Sequence, residues 1–76
     1  MGGLTKTGNF VHDSNVVVAE GIRQVAVAAA GANQSAVVTA EQTYWRSRKS
    51  SALANNMAAE AANATVVLRM LGTSGT

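Results

Sequence analysis

The groups that could do chemistry in this chain are few and lie far apart. It has four carboxylates, one histidine and no cysteine. No two carboxylates lie three or four residues apart, so a helix cannot pair them for acid–base catalysis or metal binding. His12 beside Asp13 could transfer a proton, but such neighbours are more typical of a helix cap next to a solvated ring. The four carboxylates are Asp13, Glu20, Glu41 and Glu60.

Other catalytic and ligand-binding signatures are missing from the sequence. Serine and threonine are plentiful, yet no motif that activates a nucleophile surrounds them. The glycine-containing ends lack the lysine and the strand–helix context of a phosphate-binding loop. Without cysteine there is no disulfide or thiolate metal site, and a single histidine excludes a multi-histidine site. We therefore expect no enzymatic activity, no cofactor and no metal ion.

The one concentrated polar signal is residues 44–49, where basic residues follow Tyr44 and a tryptophan. Basic and aromatic side chains together can hold phosphate and stack on bases. Three cations are few for that task, and the net charge of +2 is small. The favoured interpretation is a solvated basic segment whose aromatic residues pack against a neighbour, or which lines the lumen of a tube-like assembly. The residues that would make such nucleic-acid or lumen contacts are Trp45, Arg46, Arg48 and Lys49.

The elements that must position these groups are predicted to be helices. Residues 1–12 contain three glycines and few apolar groups, and we expect an irregular arm there. Asp13 or Ser14 can then cap a first helix over about residues 15–30, which is apolar on almost every side. A strand at its valine-rich start and a membrane span are alternatives. The length of the apolar run and the charges within it argue against the membrane span.

A turn is predicted near Gly31, because glycine suits the left-handed position that ends many helices. The next stretch, residues 35–71, has neither proline nor glycine and is long enough for one helix of about 55 Å. With a turn at Gly31 the two helices form a hairpin, and without it they form one bent rod. Gly72 can stop the second helix, and residues 73–76 make a polar tail.

Six apolar residues in the long helix recur at spacings of 4, 4, 3, 4 and 3. This seven-residue alternation is typical of a seam between helices. A first helix of about 24 Å covers less than half of a partner of about 55 Å. The seam is therefore predicted to be an assembly interface that lies against another chain. Its residues are Leu53, Met57, Ala61, Ala64, Leu68 and Leu71.

The chain is predicted to be a single small all-α domain over residues 1–76, helical over 13–72. With 76 residues it can bury only a thin core by itself. Its charged fraction of 13% is well below the usual ~25%. A polar but weakly charged surface of this kind suits burial in an oligomer better than free solution.

These features favour a structural, self-assembling subunit of a filament, a pilus or needle, or a tube. In size, absence of cysteine and long terminal helix, the chain is similar to subunits of secretion needles and pili. The proline-containing turn common in needle subunits is missing. A bacteriophage virion component (internal, portal-associated or tail) is the alternative within the same class. A small nucleic-acid-binding module that uses residues 44–49 is the alternative of another class.

The expected partners are copies of the same chain or other subunits of a larger assembly. Nucleic acid has weaker support, and a membrane is not expected. The first ten residues lack the apolar run of a cleavable secretory signal. We therefore expect synthesis in the cytoplasm, followed by incorporation into an extracellular filament or a virion.

Overall fold

The computed structural model describes residues 7–76, and this part of the chain is built of three α-helices without a strand. The helices are α1 (Phe10–Ala30), α2 (Gln34–Ala54) and α3 (Ala58–Met70). α2 packs against both of the others and is the centre of the fold. The prediction of an all-α protein is confirmed.

α1 begins five residues earlier than predicted. Asn9 caps it, because the Asn9 Oδ1 accepts a hydrogen bond of 3.0 Å from the backbone N–H of His12. Asp13, one of the predicted caps, lies in the first turn and accepts from the backbone N–H of Thr7 at 3.0 Å and from its hydroxyl at 2.9 Å. Residues 10–12 of the predicted arm are therefore helical, and residues 1–6 lie outside the described residues.

The turn at Gly31 is confirmed. α1 ends at Ala30, and Gly31 has a φ of +57°, which glycine adopts at little cost. The next helix follows after a short connection, with Asn33 as its cap: the Asn33 Oδ1 accepts from the backbone N–H of Ala36 at 3.2 Å. α1 and α2 thus form a helical hairpin, and the single bent rod is excluded.

The predicted continuous helix over residues 35–71 is wrong. It is interrupted after Ala54, where Asn56 has a φ of +57°. The backbone N–H of Met57 closes the end of α2 by donating to the Ala52 carbonyl at 2.8 Å. Asparagine is one of the few residues besides glycine that enters this left-handed region readily. Two successive asparagines therefore end the helix. The absence of glycine and proline had predicted one continuous helix through this point.

Small residues form much of the core, because they let the helices approach closely. Between α2 and α3 the buried residues include Ala52, Ala64 and Leu68, and all three are almost completely inaccessible. Between α1 and α2 the buried apolar residues are Val16, Ala19, Ala40 and Tyr44. The segment after α3 folds back, and Gly75 is buried against Thr65 and Arg69 of α3.

The alternative that the first helix spans a membrane can be tested against the lengths and the apolar character of the helices. Within residues 7–76, no helix combines the length and the apolar character that a bilayer crossing needs.

Replacement of Asn56 tests whether the break after α2 is set by its backbone conformation. We expect Asn56→Ala to lower the free energy of unfolding by about 1 kcal/mol, because alanine at positive φ is strained. Asn56→Gly is the matched control and should leave that free energy unchanged or raise it. Urea denaturation followed by circular dichroism measures both. Equal stability of the two variants would contradict this account of the break.

Candidate functional site

The most extensive exposed apolar surface lies on α1. Val11, Val18, Ile22 and Val25 recur at spacings of 7, 4 and 3, which places them on one side of the helix. Val18, Ile22 and Val25 are 64%, 60% and 72% exposed. They lie away from the side of α1 that buries Val16. We call these four residues the α1 stripe.

A groove of about 600 Å³ runs beside this stripe, between α1 and α2. Six of its twelve lining residues are alanine, so its walls consist mostly of small apolar side chains. Ile22 belongs to both the groove and the stripe, and Ala26 and Ala29 line the groove and also the exposed surface around the stripe. We call the groove between α1 and α2 the alanine groove. Its lining includes Ala26, Ala29, Ala36, Thr39, Ala40 and Thr43.

A second exposed apolar surface lies on the outer side of α3. Val66 and Met70 are one helical turn apart, and Met70 is 80% exposed. The opposite side of α3, which carries Ala64 and Leu68, is buried against the rest of the chain. We call Val66 and Met70 the α3 patch.

The predicted seam is divided between the inside and the outside of the chain. Ala61, Ala64 and Leu68 are buried within the protein, because the break at Asn56 turns α3 back onto α2. The other three have more access to solvent: Met57 and Leu71 are half-buried and Leu53 is exposed. For three of the six residues that share the heptad spacing, the packing partner is therefore the chain's own second helix.

The basic segment is occupied by contacts within the chain. Arg46 donates from Nε to the Thr76 carbonyl at 2.9 Å, and Lys49 donates from Nζ to the Gly75 carbonyl. Arg48 lies 3.4 Å from a Glu60 carboxylate oxygen. The guanidinium carbon of Arg48 is also 4.6 Å from the centre of the half-buried Trp45 ring.

Tyr44 anchors a charged cluster between α1 and α2. The residue is 3% exposed, and the guanidinium carbon of Arg23 lies 3.9 Å from the centre of its ring. Arg23 also pairs with Glu20 and, at 3.1 Å, with Glu41. The hydrogen bond from Arg23 lowers the pKa of Glu20 below its ordinary value of 4.5, against the opposing effect of burial. The cluster holds the two helices together by ionic and cation–π contacts.

A buried polar network joins the start of α1 to the end of α2. The expected solvated ring of His12 is instead 1% exposed. The His12 Nδ1 and the Ser51 Oγ are 2.8 Å apart, and Asn15 donates from Nδ2 to the same oxygen at 2.9 Å. No local pattern in the sequence indicates this network, because His12 and Ser51 lie 39 residues apart.

The order of hydroxyl, imidazole and carboxylate in this network resembles a nucleophile triad, but its geometry differs. The His12 Nε2 is 3.8 Å from the nearer Glu60 oxygen, which is beyond hydrogen-bonding distance. His12 is also enclosed by the fold, so a leaving group could not approach the ring that would have to protonate it. The arrangement suits a structural link between helices.

Removal of the Ser51 hydroxyl tests the contribution of this network to stability. We expect Ser51→Ala to lower the free energy of unfolding by about 1–3 kcal/mol, because it leaves the buried ring of His12 without its hydrogen-bond partner. Ser50→Ala is the matched control, since Ser50 is the exposed neighbour in the same helix. Urea denaturation of both variants measures the difference. A Ser51→Ala variant as stable as Ser50→Ala would contradict a stabilising role.

The lowered pKa of Glu20 predicts a contribution to stability that acid removes. A carboxyl group whose pKa is lower in the folded state stabilises the fold above its unfolded pKa, and this contribution is lost as the pH falls through the folded pKa. We therefore expect wild-type stability to decrease below about pH 4.5. Glu20→Gln should show a smaller decrease over the same interval, measured by thermal denaturation. Parallel pH profiles for the two proteins would refute this contribution.

Comparison of the chain with protein-family models, with curated proteins and with solved structures finds no match. The functional conclusion below is therefore based on the surfaces and contacts of the chain itself.

Proposed function

We propose that this protein is a structural, self-assembling helical subunit of a filament or tube-like assembly, without catalytic activity. The observation that carries the proposal is the exposure of the α1 stripe. Three of its branched side chains, Val18, Ile22 and Val25, are at least 60% exposed and adjoin one another on the helix. Contiguous apolar surfaces of this kind mark sites of association.

The hydrophobic effect gives this exposed surface a driving force for association. Removing apolar surface from water is favourable by about 25 cal/mol per Å². Scattered exposed apolar residues are ordinary, but Val18, Ile22 and Val25 of the α1 stripe are adjacent on the helix surface, with no charged residue between them on that side. The low charged fraction of the chain, 13%, also reduces the repulsion between copies that would oppose close assembly.

Two separate apolar surfaces support a polymer over a closed pair. The α1 stripe lies on one helix and the α3 patch, Val66 and Met70, on another, and α2 packs between the two helices. A subunit with a single self-complementary surface forms a closed dimer, whereas two independent surfaces allow assembly to continue. The proposed interface thus uses the outer side of α3 and the exposed side of α1. Of the predicted seam, only the exposed Leu53 is as accessible to another chain.

A charged substitution in the α1 stripe tests the proposal. We expect Ile22→Lys to abolish association, because a buried and unpaired ammonium group opposes contact between apolar surfaces. Gln24→Lys is the matched control: it places the same charge on the same helix at an exposed polar residue outside the stripe. Sedimentation velocity over a range of concentrations, with electron microscopy of large species, measures association.

The wild-type protein and Gln24→Lys should sediment as assemblies, and Ile22→Lys should sediment as a folded monomer. Circular dichroism checks that both variants keep the helical fold. A wild-type protein that stays monomeric at high concentration would refute the proposal. Unchanged assembly of Ile22→Lys would show that the α1 stripe does not carry it.

A further inference from the structure

We infer that the alanine groove is the binding site for α1 of a second copy. In the resulting dimer, α1 of each copy lies in the groove of the other. The result is a four-helix arrangement in which the two α1 helices lie antiparallel at the centre, flanked by the two α2 helices. This inference rests on the proposed function and names the first contact of the assembly. Three features of the chain support it, namely the shape, the charge and the extent of the two surfaces.

The shapes of the groove and the stripe are complementary. The alanine groove is lined by small side chains from both helices, among them Ala26, Ala36 and Ala40. The α1 stripe carries the larger Val18 and Ile22, which project from the helix surface. Packing of larger side chains into spaces left by small ones is how helices interlock in bundles.

The charges of the two surfaces also match, because neither presents an unpaired charge. Among the described residues that line the groove, the one charged side chain is Arg23. Its guanidinium group is already bound by Glu20 and Glu41. The groove therefore favours an uncharged occupant over an acidic or basic peptide, and the α1 stripe is an uncharged helix face.

The extent of the contact is close to the lower limit for a specific protein interface. From Val11 to Ala29 the exposed side of α1 is about 27 Å long, on a helix about 10 Å wide. In the reciprocal arrangement each copy contributes a strip of this size and the groove that receives its partner's strip, so the two copies together bury roughly 1,000 Å², which is about the smallest area of a specific protein interface. Because the proposed occupant is α1 of a second copy, its length equals that of the exposed side of α1.

The position of the shared residues indicates a two-fold arrangement. Ile22, Ala26 and Ala29 border both the groove and the exposed side of α1. When α1 of the partner subunit lies in the groove of one copy, it therefore also lies beside the α1 stripe of that copy. With Ile22 near the two-fold axis, Thr39 of one copy comes close to Val18 of the partner subunit.

Disulfide cross-linking tests this arrangement, because the natural chain has no cysteine that could interfere. Full-length Val18→Cys and Thr39→Cys variants, one carrying a mass tag, are mixed and oxidised under mild conditions. We expect a mixed disulfide dimer in several-fold higher yield than from Gln24→Cys with Thr39→Cys. Gln24 is the control because it is exposed on α1 outside the stripe. Non-reducing electrophoresis and mass spectrometry measure the mixed product.

The outcomes separate this inference from the proposed function. Preferential cross-linking of Val18→Cys to Thr39→Cys supports binding of α1 of one copy in the alanine groove of the other. If the protein sediments as an assembly but the test and control pairs give equal yields, α1 does not bind in the groove. That outcome would overturn this inference and leave the proposed function standing. A wild-type protein that remains monomeric in sedimentation would overturn both.

Discussion

The left-handed turn at Asn56 is the constraint on which the rest of the structure depends. It ends α2 and sends α3 back along it, so that Ala64 and Leu68 find their partner within the chain. The same reversal brings Glu60 close to Arg48. A straight helix through this point would leave both the inner side of α3 and one side of α2 exposed to water. One backbone conformation therefore decides which apolar surfaces are internal and which remain for other chains.

With α3 on another side of α2, α2 is the one helix of residues 7–76 that packs along α1. α1 is apolar on nearly every side, but one adjacent helix can cover only part of its circumference. The remaining part carries Val18, Ile22 and Val25, and they stay exposed. Residues 7–76 contain no further helix that could cover them. The incomplete burial of α1 thus follows from its packing along α2 alone, and it is the physical basis for proposing assembly.

The sequence predicted the features that depend on local signals and missed those that depend on distant ones. The helical class and the turn at Gly31 followed from composition and from one glycine. The sequence did not predict the break at Asn56, because asparagine is only moderately unfavourable within a helix and adopts positive φ only in some contexts. The burial of His12 depends on Ser51, far along the chain, and no local pattern reports it. The α1 stripe was present in the sequence, but only the packing of α2 shows which side of α1 is covered.

The buried polar network connects the fold to the proposed assembly. Apolar contacts between two helices tolerate rotation and sliding, because many small side chains pack almost equally well in several registers. The hydrogen bond between His12 and Ser51 is directional, and a shift of α1 would leave both groups buried without a partner. With the pairing of Arg23 and Glu41 further along the hairpin, it fixes α1 at two points. Fixing the rotation of α1 also fixes the direction in which Val18 and Ile22 project, so an internal polar contact determines the geometry of the surface that would meet a second copy.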